Sequence, residues 1–261
     1  MDRLKPFNCS RLLLKLSGES LMGDNEFGIH PPAVTEVARE IREVHDLGVE
    51  ICIVVGGGNI FRGLRAASDE LPRTTADHMG MLATILNSLA LQASLETLGA
   101  ETRVLSAIRL DEICEPYIHR RAARHLERKR ICIFAAGTGN PFFTTDTAAT
   151  LRASELGCGI VFKGTQVDGV YDSDPKSNPN AVRMDAISYE DAFKRNLRVM
   201  DGAAIAMARE RRLQLVVFSL KPAGNFKRVV EGKGMFTTIQ TQQEIDDAAS
   251  GGLGLRQSRE F

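Results

Sequence analysis

The sequence predicts an α/β protein, a three-layer αβα sandwich around a mainly parallel central sheet. Short β-branched runs alternate along the chain with amphipathic helical patterns. The runs are continuously apolar rather than alternating, as in strands covered on both faces. The polar segments GGGN, GTGNPFFTTD and KGTQVDGVYDSDP each follow such a run. In open sheets of this kind, ligands bind beyond the carboxyl ends of the strands.

The first apolar run is LLLKLS at 12–17. In the following PPAVTEVAREIREVHDLG, Val34, Val37, Ala38, Ile41 and Val44 share one helical face. Pro31 and Pro32 suit its first turn, and Gly48 suits its stop. ICIVV at 51–55 reads as a strand, 76–98 as a helix, and TRVLSAI as the next strand. The basic helix HRRAARHLERKR leads into the strand ICIFA at 131–135. A helix from about Asp146 to Leu156 precedes the strand IVFKG at 160–164. A last helix starts near Asp201, before the strand QLVVFSL. Residues 1–240 read as a single domain without internal repeat. Residues 241–261, polar and glycine-rich, read as a flexible tail.

Composition narrows the function classes. The 261 residues are 43% hydrophobic and 25% charged, enough for a sizeable core. Lys+Arg and Asp+Glu both number 33, so no global field favours nucleic acid or an anionic membrane, and anion recognition has to be local. Cys9, Cys52, Cys114, Cys132 and Cys158 are scattered, without a C-x-x-C pair, and read as structural thiols of a reducing compartment. The apolar run near the N-terminus is too short for a signal peptide, and no stretch reaches membrane-spanning length. A cytoplasmic location is expected.

Four motifs carry the chemistry. In GGGNIFRG, glycines after a strand permit positive φ and let backbone N–H groups face an anion, while Arg62 offers a guanidinium fork. A tight strand–helix turn with a solvated arginine accounts for the same letters. The spacing is neither G-x-G-x-x-G nor G-x-x-x-x-G-K-[ST], which excludes a dinucleotide fingerprint and a P-loop. In KLSGES, Lys15 interrupts an apolar run and needs either an exposed edge or an anionic partner. In GTGNPFFTTD, Thr145 or Asp146 can cap the following helix, and the Asp146 carboxylate can orient a lysine or a magnesium-bound phosphate. In KGTQVDGVYDSDP, Asp168-Gly169 reads as a hairpin-type turn. Tyr171 suits stacking on a base and Asp174 suits a ribose. Lys163 ends a buried strand at the same edge, and capping alone suffices for Asp201.

Together KLSGE, GGGNIFRG, TADHMGMLATILNSLALQ, GTGNPFFTTDTAA and KGTQVDGVYDSDP resemble the amino-acid-kinase fold family, most closely its bacterial uridylate (UMP) kinases. The likeness runs in order from about residue 10 to 240. It implies transfer of the ATP γ-phosphate to UMP with Mg²⁺ carried by ATP, and no protein ligand to the metal is assigned. Lys15, Arg62 and Asp146 are the implied catalytic residues. ATP is implied at Lys15, Leu16, Ser17, Gly18, Gly58, Arg62 and Lys163, with Thr165, Gln166, Tyr171 and Asp174 around adenosine. UMP is implied at Gly57, at Asp77 and along Thr138, Gly139, Asn140, Pro141, Phe142, Phe143, Thr144 and Thr145.

The resemblance further implies a homohexamer, joined through the apolar helix MGMLATILNSLALQASL, and control by GTP as activator and UTP as inhibitor. Arg103 and Arg130 are the candidate GTP contacts. Gly23, Asp24, Asn25, Glu26, Phe27 and Gly28 look like the family's activation-linked hairpin. Two alternatives stand beside this reading: a sibling kinase of a small acid, and a non-catalytic nucleotide-binding or storage protein on the same fold.

Overall fold

The computed structural model describes residues 7, 9–65, 71–173, 175, 177–195, 197 and 199–249; at 62–65 and 249 only the backbone is described. The nine-stranded sheet begins with β1 (Arg11–Leu16) at its centre, followed by β2 (Glu50–Val55), β3 (Thr102–Ser106), β4 (Glu115–Pro116) and β5 (Ile131–Ala135). β6 (Ile160–Thr165), β9 (Ala186–Ser188), β10 (Gln214–Ser219) and β11 (Phe236–Gln240) complete it. The order is β4-β3-β5-β2-β1-β6-β10-β11-β9. Every neighbouring pair is parallel except β10 and β11.

The period of two along β1 divides the core. Leu12, Leu14 and Leu16 face one layer with α1 (Pro31–His45), α3 (Arg73–Thr97) and α8 (Asn225–Val230). Leu13 faces the other, with α4 (His119–Glu127), α5 (Thr145–Glu155) and α7 (Gly202–Glu210). Lys15 shares the Leu13 face. Because β1 lies between β2 and β6, an edge-strand explanation for Lys15 falls away, and the anionic partner remains.

β1, β2, β5 and β6 end at one sheet edge, with Leu16 opposite both Val55 and Gly164. α2 (Gly58–Arg65) starts there, on the last of the three glycines. The apolar pattern also sets the helix bounds well: α1 carries both prolines in its first turn, and Gly48 follows it with φ +83°. Burial pushes the Cys132 thiol up to about 12 and raises Cys52, which keeps these thiols protonated and unreactive.

Three local expectations change. Asp168-Gly169 does not close a hairpin from β6. Instead β7 (Val170–Tyr171) pairs antiparallel with β8 (Arg183–Met184). A Cβ on Gly169 would lie 2.6 Å from Thr237 Oγ1, so close packing accounts for the glycine. Residues 23–28 form turns and bends, not paired strands. After Gln240 the chain forms helix α9 (Gln242–Ala249), an element that its polar composition concealed; the rest of the expected tail, 250–261, lies outside the described residues. Among the described residues no helix is long and apolar enough to cross a membrane.

Candidate active site

At the shared strand ends, the site is built around one carboxylate and two lysines. Lys15 and Lys163 are register partners on adjacent parallel strands, so the pleat projects both side chains to the α5 face. Asp146, in the first turn of α5, meets both. Its Oδ1 lies 2.7 Å from Lys15 Nζ, and its Oδ2 accepts a hydrogen bond from Lys163 Nζ at 2.9 Å. The Lys15 contact is an ion pair without the angles of a directed hydrogen bond. Lys163 also donates to the Val199 carbonyl.

Burial opposes the Asp146 charge most strongly, yet Lys15 and Lys163 outweigh it and hold the carboxyl below its usual range. At Lys163 burial prevails and lowers the pKa against the pull of Asp146. The two groups act with opposite sign. A carboxyl with a depressed folded pKa contributes stability above its unfolded pKa of about 3.9, and that contribution vanishes as pH falls through the folded value. A lysine with a lowered folded pKa is charged at a cost below that value, and the cost disappears above about pH 10.4. We therefore expect the acid limb of the stability curve, from about pH 5 to pH 2, to flatten in Asp146→Asn. Urea unfolding across that range checks it.

α5 opens with the Thr144 hydroxyl accepting from Asp146 N at 3.0 Å. Asp201 caps α7 through Ala204 N at 2.9 Å, as capping predicts. It also accepts from the hydroxyls of Thr144 and Thr147. This second role is absent from the sequence reading, because nothing in DGAAIAMARE announces a contact to residues more than fifty positions away. The capped N-termini of α5 and α7 thus hold one another beside Asp146.

Two cavities open at this sheet edge. The larger, ≈ 690 Å³, is lined by Lys15, Ser17, Lys163, Thr165, Gln166 and Tyr171, with an apolar floor that includes Leu197 and Val199. The Tyr171 hydroxyl donates to Asp168 Oδ1 at 2.7 Å. Thr165 and Val167 close a local turn, in which the Thr165 hydroxyl accepts from Val167 N at 3.0 Å. The smaller cavity, ≈ 210 Å³, is lined by Gly57, Gly58, Asp77, Thr138, Asn140, Phe143, Thr144 and Thr145. Gly58, expected on the donor side, belongs to this smaller cavity. Gly139, Pro141 and Phe142 lie on its loop without lining it.

That loop is strained. Ala136, Gly137, Gly139 and Phe142 all have φ between 58° and 77°, a conformation that costs a non-glycine residue roughly 1–3 kcal/mol. It is held from α3. Thr84 Oγ1 accepts from Ala136 N at 2.8 Å, and Asp77 Oδ2 accepts from Phe142 N at 2.7 Å. Asp77 is also paired with Arg73 at 2.9 Å. Thr84 escapes sequence reasoning because it sits inside an apolar helix.

The glycine run needs a correction. Gly56, Gly57 and Gly58 do not adopt positive φ. What approaches Gly57 is the chain itself: a Cβ there would lie 2.8 Å from Ala83 Cβ and 2.9 Å from Gly80 O. On Gly18 it would lie 2.3 Å from Asn59 Oδ1. Gly57→Ala is therefore expected to displace α3 and cost about 1–3 kcal/mol, read from the denaturation midpoint.

Leu16 is fully buried in the core, so only its backbone can meet a ligand. The Arg62 side chain and Asp174 lie outside the described residues. Arg103 and Arg130 line neither cavity; both face Glu101, at 4.0 and 3.0 Å.

A model of the amino acid kinase family matches residues 10–219. The chain belongs to the amino acid kinase family. Among its relatives in that family, the uridylate kinase of Ruegeria pomeroyi is 61% identical over 231 residues, covering 88% of this chain and 92% of the relative. That of Rickettsia prowazekii is 58% identical over 229 residues, covering 88% and 95%. Among solved structures, the UMP kinase of Bacillus anthracis superposes with a TM-score of 0.86 at 38% identity, covering 90% of this chain and 97% of that one. The UMP kinase of Ureaplasma parvum gives 0.85 at 37%, covering 92% and 100%.

Proposed function

We infer that this amino acid kinase family member transfers the γ-phosphate of ATP to UMP, giving ADP and UDP by direct in-line displacement. The observation that carries this is a pair of cavities at one sheet edge: Lys15 and Lys163 line the larger, and Thr144 and Thr145, which directly precede Asp146, line the smaller. A phosphoryl transfer between two nucleotides needs two binding sites whose phosphate ends meet at fixed positive charge. The larger cavity, with Tyr171 and its apolar floor, suits the adenosine and triphosphate of ATP. The smaller one suits UMP, with Asp77 exchanging its Arg73 and Phe142 partners for ribose hydroxyls.

The roles follow from the geometry. Lys15 and Lys163 gather charge on the phosphate oxygens, and Asp146 keeps the two ammonium groups in place. Arg62, carried by α2 beside Gly58, is assigned to the transferred group. The α2 and α5 N-termini add backbone N–H groups.

Magnesium is implied by the family. Among the described residues no cluster of three His, Cys, Asp or Glu side chains forms a metal site, and the one carboxylate at the centre is already paired with two lysines. That donor set fits an ion delivered on the triphosphate, since Mg²⁺ binds mainly through phosphates and retained water. When bound, it supplies neutralisation of phosphate charge.

The test is ADP release from Mg-ATP with UMP, CMP, dUMP, glutamate and aspartate as separate acceptors. Turnover with UMP alone is expected. Turnover on an amino acid identifies a sibling kinase, and ATP binding without turnover a storage protein.

Assembly and control belong to the same reading. On α3, Leu82 and Leu86 are 49% and 52% exposed, one turn apart, which supports a subunit interface within a homohexamer. Leu82→Glu with Leu86→Glu is expected to dissociate the assembly in sedimentation velocity. GTP activation through Arg103 and Arg130, and UTP inhibition, are carried over from the family. Glu101 offsets both arginines, so a GTP titration that leaves rate and UMP dependence unchanged refutes GTP control. The location proposed is the cytoplasm.

A further inference from the structure

Behind the glycine loop lie two buried asparagines that no part of the reaction has yet used. Asn59, in the first turn of α2, is 1% exposed and Asn87, in the middle of α3, is fully buried. Their side-chain amides face each other reciprocally. Asn87 Nδ2 donates to Asn59 Oδ1 at 2.7 Å, and Asn59 Nδ2 donates to Asn87 Oδ1 at 3.0 Å. Each amide also donates to a backbone carbonyl: Asn87 Nδ2 to Gly56 O at 2.7 Å, and Asn59 Nδ2 to Gly28 O at 2.8 Å. Gly28 N returns a bond to Asn59 O at 2.7 Å.

All four amide hydrogens are therefore used, and both amide oxygens accept. Packing alone does not call for this. Two leucines, with the same branching of heavy atoms, would pack here without the desolvation of four N–H groups. What amides add is direction. The bond from Asn87 fixes the Gly56 carbonyl, and in a trans peptide the next N–H points the opposite way in the same plane. Holding Gly56 O toward Asn87 thus turns the Gly57 N–H away from Asn87. Gly57 lines the smaller cavity, and among the described residues its N–H donates to no backbone acceptor.

We propose that the Asn59–Asn87 amide pair is a positioning unit for phosphoryl transfer: by fixing the Gly56 carbonyl it aims the Gly57 N–H at the phosphate held in the smaller cavity. This rests on the assignment of UMP to that cavity. The two asparagines contribute unequally. Asn87 holds Gly56 directly, whereas Asn59 braces Asn87 and fastens the 23–28 loop through Gly28.

The test uses the full-length protein with Asn87→Leu and Asn59→Leu, each checked for a cooperative thermal transition, and with Lys15→Ala assayed beside them. Asn87→Leu is expected to lower kcat at least about tenfold and to raise KM for UMP, while KM for ATP stays within about threefold. Asn59→Leu, which leaves the Asn87–Gly56 bond possible, is expected to lose less kcat at a comparable loss of thermal stability. A merely structural pair would lower the transition temperature and leave kcat and both KM values of the folded enzyme unchanged. That result overturns the proposal, as does failure of both variants to fold. If Lys15→Ala keeps its turnover, the underlying site assignment falls instead. An inactive Lys15→Ala beside a fully active Asn87→Leu removes only the role of the pair.

Discussion

Lys15→Ala is expected to lower kcat by about 10²–10³-fold, the scale for losing one preorganised charge at a transition state, while the protein stays folded. Both halves follow from the geometry. Lys15 is at the wall of the larger cavity, at the end of a central strand, where no other described side chain reaches Asp146 Oδ1 as a cation. Its loss removes positive charge from the phosphate path. The fold survives because Asp146 keeps Lys163 at 2.9 Å and is not left as an uncompensated buried charge. Lys15→Arg is not expected to restore activity, since a planar fork does not occupy the place of a compact ammonium between Asp146 and a phosphate. Steady-state rates with circular dichroism check both parts. Near-normal turnover in Lys15→Ala contradicts the assignment.

Asp146→Asn is expected to have an equally large effect with a different signature. The carboxylate lies between two ammonium groups on register-paired strands. Without its charge, Lys15 and Lys163 face each other with no anion between them. Removing one member of a buried ionic cluster costs about 3–5 kcal/mol, so the nucleotide-free variant melts early. ATP brings the missing negative charge, and saturating ATP restores much of that loss by mass action. Turnover still falls by about 10²-fold or more, because lysines no longer tethered to α5 bind the triphosphate without aligning it. KM for ATP stays level or drops while kcat collapses. Melting curves with and without ATP, next to kcat and KM, separate this from general misfolding, which lowers everything together.

The contrast between Lys15 and Asp77 shows how far residues alone can be read. The strand pattern placed Lys15 at the ligand edge, and its cost inside an apolar run demanded a partner; only the order of strands decides that the partner is Asp146 rather than water. Asp77 was legible through its motif, but its pairing with Arg73 and Phe142 N was not, because the bond to Phe142 joins segments 65 residues apart. GGGN illustrates a different gap. Glycines there read as phosphate contacts, yet Ala83 and Gly80 approaching Gly57 are a sufficient reason for one of them. A missing side chain does not say whether ligand or protein takes its place.

Residues whose task is to hold others were the least legible. Thr84, Asn87 and Asp201 act through hydrogen bonds to distant backbone or hydroxyl groups, and their types are ordinary for a buried helix or a helix cap. The strained Ala136 has no sequence signal at all, since alanine gives no hint of positive φ. The layer architecture was legible because it depends on hydrophobic period, which is local. The supports of the loops depend on tertiary contacts, which are not.

The most direct test of the two-cavity account is amide hydrogen exchange with UMP alone and with a non-hydrolysable ATP analogue alone. UMP is predicted to slow exchange along 136–145, and the analogue along 15–19 and 163–171. Both should protect the glycine loop at 56–58, where the phosphates meet. Equal protection of 136–145 and of 163–171 by both nucleotides, or no effect of UMP on 136–145, would contradict a site with two cavities sharing one phosphate path.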